Sequence, residues 1–247
     1  MDELAKCNGY LPDDARLLHE KTRSQRGTRA EIIVRYLVEM IVRGDLEPGD
    51  HIVEAAIANR LGTSKTPVRE AIKMLPTTGL AVSYPYRGTF VRELTTDFVD
   101  EVVSVRTRLE TFAGELAIHF TSDHDIEGLC VLARKMEAAV QAGDHFEALT
   151  IDIAYHTSIY RWSRHTLLLE MWETLLPRVE FLQAYSRLFA SPLPKGHVEE
   201  RHMELALAFG TRNRAIVAEA LTKHIELGPL LLRRSGRYSP FRPTEPS

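Results

Sequence analysis

Four residues carry the sharpest chemical signal in this sequence: Asp152, His156, His202 and His224. Each falls on an otherwise apolar stripe at helical spacing. Leu149, Asp152, His156 and Ile159 recur at i, i+3, i+7 and i+10, whereas Val198, His202, Leu205 and Phe209, and then Val217, Leu221, His224 and Gly228, recur at i, i+4, i+7 and i+11. That spacing marks the inward face of an amphipathic helix. A carboxylate in an apolar interior needs a cation, a hydrogen-bond donor or a metal. One aspartate and three imidazoles from three helices are the ligand types of a divalent ion, with zinc the first expectation and nickel or manganese the alternatives. Such a site leaves positions open for water or a ligand oxygen. A buried Asp–His hydrogen bond is the reading that needs no ion, and it accounts for two of the four residues. His119, His124, His145, His165 and His197 join none of these stripes and read as surface.

Arg106 is a further polar residue on an inward stripe, Val99, Val102, Arg106, Leu109 and Ala113. Its guanidinium can clamp the carboxylate of a small effector bidentately, the role expected for it here, or pair with a buried acid such as Glu110. Tyr155, Tyr160 and Trp162 can line a pocket, although at helical spacing they are more often plain core. A second cluster of chemistry lies nearer the N-terminus. Between Arg60 and Arg92 the basic residues are Arg60, Lys65, Arg69, Lys73, Arg87 and Arg92, against a single acid, Glu70. This local excess can neutralise phosphates, and Ser64, Lys65 and Thr66 at a helix start offer donors to backbone oxygens and base edges. Lys65 and Arg69, four apart, share a helix face.

The elements that must position these groups follow from periodicity and punctuation. Residues 1–27 show scattered charge and read as a mobile arm, with a short helix around Asp13 to Glu20. A helix is expected over about 30–42, ended by Gly44; a turn at Glu47-Pro48-Gly49-Asp50; a helix over about 54–60, closed by Gly62; and a third capped by Ser64 or Thr66, with Pro67 in its first turn and Pro76 at its end. Leu80 to Tyr84 and Thr89 to Arg92, joined by Pro85-Tyr86-Arg87-Gly88, read as a hairpin. Helix, helix, turn, helix, hairpin is the order of a winged helix-turn-helix, assigned to 28–93. Beyond it nothing looks like strand. Six amphipathic patterns, over about 97–120, 123–142, 144–163, 166–188, 196–210 and 212–234, imply a mainly α chain whose 97–234 region is an antiparallel all-α bundle for effector binding and dimerisation. The tail over 235–247 reads as loose.

Bulk composition narrows the function. A net charge of −3 gives no whole-molecule attraction to nucleic acid, so DNA contact must come from the local basic patch. Two cysteines, Cys7 and Cys130, build neither a disulfide framework nor a thiolate zinc knuckle. The opening Met1-Asp2-Glu3-Leu4 lacks a signal pattern and no apolar run reaches membrane-spanning length, so a cytoplasmic location is expected.

Three blocks, Gly44-Asp45-Leu46-Glu47-Pro48-Gly49, Leu61-Gly62-Thr63-Ser64-Lys65-Thr66-Pro67-Val68-Arg69-Glu70-Ala71 and Arg87-Gly88-Thr89-Phe90-Val91, resemble the GntR family of bacterial regulators. The resemblance implies that Ser64, Lys65, Thr66 and Arg69 face the major groove and that the wing around Arg87 and Gly88 touches the minor groove. Lys65 stands where the family usually has Arg, a point charge in place of a planar bidentate donor. Pro76 falls where the recognition helix often continues. Asp152-Ile153-Ala154-Tyr155-His156, Glu200-Arg201-His202 and Lys223-His224 resemble the FCD-type effector domain of the FadR branch, with the helix count of the VanR-like subgroup. In metal-containing members of that kind these positions hold the ion, which in turn binds carboxylates of small organic acids.

The expected function is therefore a homodimeric, ligand-responsive transcription regulator on a pseudo-palindromic double-stranded DNA operator. The rival from another class is a metal-dependent hydrolase with an appended DNA-binding module. No His-Glu-x-x-His or Gly-x-Ser-x-Gly motif supports it. A constitutive architectural DNA binder, whose bundle only dimerises, is a third reading.

Overall fold

The computed structural model describes residues 28–189 and 196–234. The expected N-terminal arm with its short helix, Cys7, the arm's basic residues Lys21, Arg23 and Arg26, and the tail over 235–247 lie outside the described residues. The chain divides into two compact units, one ending at Glu93 and one beginning at Leu94.

The first unit opens with helix α1 (Arg29–Arg43). Thr28 and Glu31 form a reciprocal capping box there, which satisfies backbone donors that a helix start leaves open, and Gly44 closes the helix in the left-handed conformation at φ 80°. The periodic residues Ile33, Leu37, Met40 and Ile41 are all buried. Asp50 N–H donates to the Glu47 carbonyl at 3.0 Å, closing the expected turn. Helix α2 (Glu54–Arg60) and helix α3 (Lys65–Met74) follow, with Gly62 at φ 59° between them.

Two details differ from expectation. Ser64 occupies the N-cap position of α3, but no side-chain cap hydrogen bond forms there. Pro76 does not break the chain sharply; the backbone tightens into a 3-10 turn (Leu75–Thr78) that ends at Gly79, φ 79°, because proline tolerates a first-turn position where no N–H is needed. Strands β1 (Ala81–Tyr84) and β2 (Gly88–Val91) pair antiparallel from Ala81 with Val91 to Tyr84 with Gly88. Helices and hairpin share one small core, with Val68, Ala71, Leu75 and Leu80 sealed from solvent.

The second unit is a bundle of α4 (Thr96–Ala117), α5 (Asp123–Gln141), α6 (His145–Trp162), α7 (Thr166–Phe189), α8 (His197–Gly210) and α9 (Arg214–Arg234). Thr95, Ser122 and Asp144 cap the first three with side-chain oxygens. The start of α8 is held differently: Glu137 on α5 accepts from Gly196 N–H at 2.7 Å and from Glu199 N–H at 3.3 Å. α4 packs on α6 and α9, and α5 on α6 and α8, so the histidine-bearing helices meet in the interior. Gly114 permits the α4–α9 approach, since a Cβ there would sit 2.5 Å from Leu221 Cδ1. The chain is thus mainly helical, a winged helix-turn-helix followed by an all-helical bundle.

Candidate metal centre and nucleic-acid interface

The inward stripes of α6, α8 and α9 bring the three histidines together. One ring nitrogen from each of His156, His202 and His224 lies within 4.8 Å of the others. His156 and His202 are buried, and His224 is half-buried. Asp152, one turn before His156 on α6, sits beside two of them: Oδ1 is 3.3 Å from His202 Nε2 and Oδ2 is 3.8 Å from His156 Nε2. The 3.8 Å contact is beyond hydrogen-bond reach, and Nε2 of both histidines, like Nδ1 of His224, is buried without a geometrically formed hydrogen bond.

Partners on the far side of each ring fix its orientation. His202 Nδ1–H donates to the Val198 carbonyl at 2.7 Å, so its Nε2 carries the lone pair. His156 Nδ1–H donates to Glu110 Oε1, again leaving Nε2 as the lone-pair atom facing the cluster. Tyr155, sealed in the core, donates its hydroxyl to the His202 carbonyl at 2.7 Å and holds that turn of α8. Burial, and then the neighbouring histidines, push His224 well below the usual imidazole range; burial also lowers His202 despite the opposing pull of Asp152. A neutral imidazole with an outward N–H and an inward lone pair is the ligand form of histidine. These orphaned nitrogens and the adjoining carboxylate fit a divalent cation. An Asp–His pair alone would leave the inward nitrogens unsatisfied.

Glu110 was not on the inward stripe read from the sequence, yet it is fully buried while Leu109, the residue assigned there, is only half-buried. Its second oxygen accepts from Arg106 Nε at 3.0 Å. Burial would raise the Glu110 carboxyl, but His156 and Arg106 together outweigh it and hold the group below the ordinary range. Arg106 therefore does pair with Glu110, and it keeps Nη2 buried and unbonded. Its guanidinium lies 5.8 Å from the Trp172 ring centre, and Trp172 stacks on Tyr160 at 4.7 Å. Tyr155 and Tyr160 are buried, and Trp162 is half-buried. Gln183 on α7 is another residue with no signal in the stripes; its Nε2 donates to Asp152 Oδ2 at 2.7 Å. His119, His124, His145 and His165 are exposed and His197 is half-buried, none of them near the cluster's ligand set.

In the first unit, Ser64, Lys65, Thr66 and Arg69 are all exposed on one end of α3, and Arg87 and Gly88 are exposed on the hairpin. Glu54, which no local spacing marks, grips Arg69 with two bonds: Arg69 Nε and Nη2 donate to its two oxygens at 2.8 and 2.9 Å. Two further members of the basic patch are engaged within the unit, Arg60 with Asp45 at 3.6 Å and Arg92 Nε with the Gly79 carbonyl at 2.6 Å. Gly88, at φ 98°, is required by backbone and by space, since a Cβ would lie 2.5 Å from His51 Nε2. At the hairpin apex Tyr86 adopts φ 61° and is fully exposed, while Arg87 lies over the Tyr84 ring at 5.6 Å. Among the described residues, no helix is long and apolar enough to cross a membrane.

Comparison with known proteins matches both units. Residues 29–91 match the model described as bacterial regulatory proteins, gntR family, and residues 101–227 match the FCD domain. The probable D-xylose utilization operon transcriptional repressor of Paenarthrobacter nicotinovorans is 31% identical over 203 residues, covering 82% of this chain and 88% of that protein. The gluconate operon transcriptional repressor of Bacillus subtilis is 27% identical over 197 residues, 78% of this chain and 81% of that one. Among solved structures, Escherichia coli McbR/YncC superposes with a TM-score of 0.72 at 24% identity, over 86% of this chain and all of that one, and so shares the fold.

Proposed function

Because the chain belongs to the GntR family of transcription regulators and carries an FCD domain, we propose that it binds a pseudo-palindromic operator as a cytoplasmic homodimer and senses a small carboxylate through a divalent ion. The ion, zinc in the first instance, would be held by Asp152, His156, His202 and His224. The matched families and relatives are regulators and not enzymes. The observation that carries the sensing half is the set of three neighbouring histidines whose inward nitrogens are buried and unbonded while outer partners orient two of the rings.

When bound, such an ion supplies a Lewis-acid anchor for a carboxylate oxygen. The chain's own residues do the rest. Glu110 and the Val198 carbonyl keep His156 and His202 in the tautomer that faces inward. Arg106, turned by Glu110, offers Nη2 to an anionic ligand. In the first unit Ser64, Lys65, Thr66 and Arg69 would meet the major groove, with Glu54 presetting the Arg69 fork, and Arg87 and Gly88 the minor groove. The effector regulates only if its affinity differs between the DNA-competent and DNA-incompetent states.

The test measures binding of the full chain to its operator fragment, with and without metal and a panel of small carboxylic acids. An acid that changes operator affinity in the metal-loaded protein, and not after His156, His202 and His224 are replaced by leucine, supports the proposal. Unchanged regulation in that variant returns the bundle to a purely dimerising role.

A further inference from the structure

His156 and His202 are each turned by a group on the outer side of the ring, and the two groups differ in kind. His156 Nδ1–H donates directly to a carboxylate, Glu110 Oε1. His202 Nδ1–H donates to a backbone carbonyl, that of Val198, at 2.7 Å. This carbonyl is one end of the planar peptide unit that joins Val198 to Glu199, and the other end is the Glu199 N–H. That N–H donates to Glu137 Oε2 at 3.3 Å. A carboxylate therefore stands behind His202 as well, one peptide unit further out.

Glu137 is held where it can grip that peptide. Only 8% of the residue is exposed, and its other oxygen accepts from the Gly196 N–H at 2.7 Å and from Gln141 Nε2 at 2.8 Å. Burial would raise its carboxyl, but N–H donors from Gly196, Gln141, Glu199 and Val198 hold it below the ordinary range, so the group is charged. α8 has no side-chain cap of its own, since Gly196 stands at its N-cap with φ 82°. A carboxylate from α5 thus does for this helix start what Thr95, Ser122 and Asp144 do for theirs. Its negative charge on the N–H side polarises the peptide unit and makes the Val198 carbonyl a stronger acceptor for the imidazole proton.

Resting on the reading of this cluster as a metal site, we propose that Glu137 is a positioning residue for it: through the Val198–Glu199 peptide it fixes the His202 ring with Nε2 inward and raises the basicity of that nitrogen toward a divalent cation. The same device serves two rings at two ranges, directly from Glu110 to His156 and by relay from Glu137 to His202. The relay is longer, so its effect on the metal is smaller.

The test uses the full chain and Glu137→Gln, which keeps the size of the side chain and removes its charge. Two quantities are read: the imidazole nitrogen resonances of His156 and His202 without metal, by nuclear magnetic resonance, and zinc affinity, by chelator competition. The His202 resonances are expected to move away from those of a fixed Nδ1–H tautomer while those of His156 stay in place, a difference that general loosening of the bundle does not produce. Zinc affinity is expected to fall about three- to tenfold, less than for loss of a direct partner, which costs about 10–100-fold. Should Glu137→Gln fail to fold, Glu199→Pro replaces it and must reproduce both effects. Proline deletes the relaying N–H in the first turn of α8, where no intrahelical bond is lost, and leaves Glu137 its bond to Gly196. Unmoved His202 resonances, equal displacement of His156, or zinc affinity equal to the parent's overturns the proposal. A parent protein that binds no zinc removes the metal reading and this role with it, whereas the resonances still show whether the relay holds His202.

Discussion

Each unit of the molecule contains an arginine held by a glutamate, and the two pairs are nearly the same by distance: Arg69 Nε to Glu54 at 2.8 Å, Arg106 Nε to Glu110 at 3.0 Å. Their surroundings are opposite. The Arg69 side chain is 59% exposed, whereas Arg106 and Glu110 are 8% and 0% exposed. Water screens the first pair, so its value is geometric: it fixes the orientation of an exposed guanidinium. In the second, removing Glu110 strips both Arg106 and the proton-bearing side of His156 of their partner. Identical chemistry thus orients an exposed guanidinium in one unit and locks a polar interior in the other.

The strongest way to break this comparison is to remove each glutamate in turn. Glu110→Ala strips partners from Arg106 and His156 at once and is expected to cost about 3–5 kcal/mol of stability, read by denaturant unfolding. Glu54→Ala should leave the unfolding midpoint unmoved, and similar losses in both variants would abolish the contrast. Glu110→Gln is milder. It keeps an acceptor for His156 but removes the charge, and metal affinity measured by chelator competition should fall about 10–100-fold.

Glu180 sharpens the contrast as a half-buried acid whose shift, among the described residues, is offset by no cation. Burial alone pushes its carboxyl up to about 7 from 4.5. A raised folded value means that the native state binds the proton more tightly than the unfolded chain, so this contribution is full below about 4.5 and is lost as pH rises through about 7. Glu180→Gln should therefore gain about 1–2 kcal/mol over the parent at mildly alkaline pH, with the gap closing in acid. A gap independent of pH would contradict the burial argument. The smallest effect is expected at the surface. Lys65→Ala should weaken binding to all DNA sequences alike and reduce the salt slope by about 1, whereas Arg69→Ala should relax base selection at one operator position.

Much of this was legible before any fold was known. The three blocks from Gly44 to Val91 declare the winged helix, and the stripes through Asp152, His156, His202 and His224 declare a polar interior because periodicity of about 3.6 residues assigns each position to a face. What stayed hidden has physical reasons. Leu109 and Glu110 stand three and four residues after Arg106, so both positions border the same inward stripe, and an apolar pattern naturally selects the leucine. Glu54 and Arg69 meet across a turn, and Gln183 and Asp152 meet across two helices; neither pairing leaves a local spacing to find. The Ser64 cap was expected from residue type, and the hydroxyl instead remains unspent at the exposed start of α3.

The most direct test of the central claim is elemental analysis, by mass spectrometry, of the full chain purified without added metal and then dialysed against zinc. One divalent ion per chain, lost when His202 and His224 are both replaced by alanine but retained in Glu54→Ala, is the predicted result. No bound ion in the parent protein, or the same content after both histidines are gone, would contradict it.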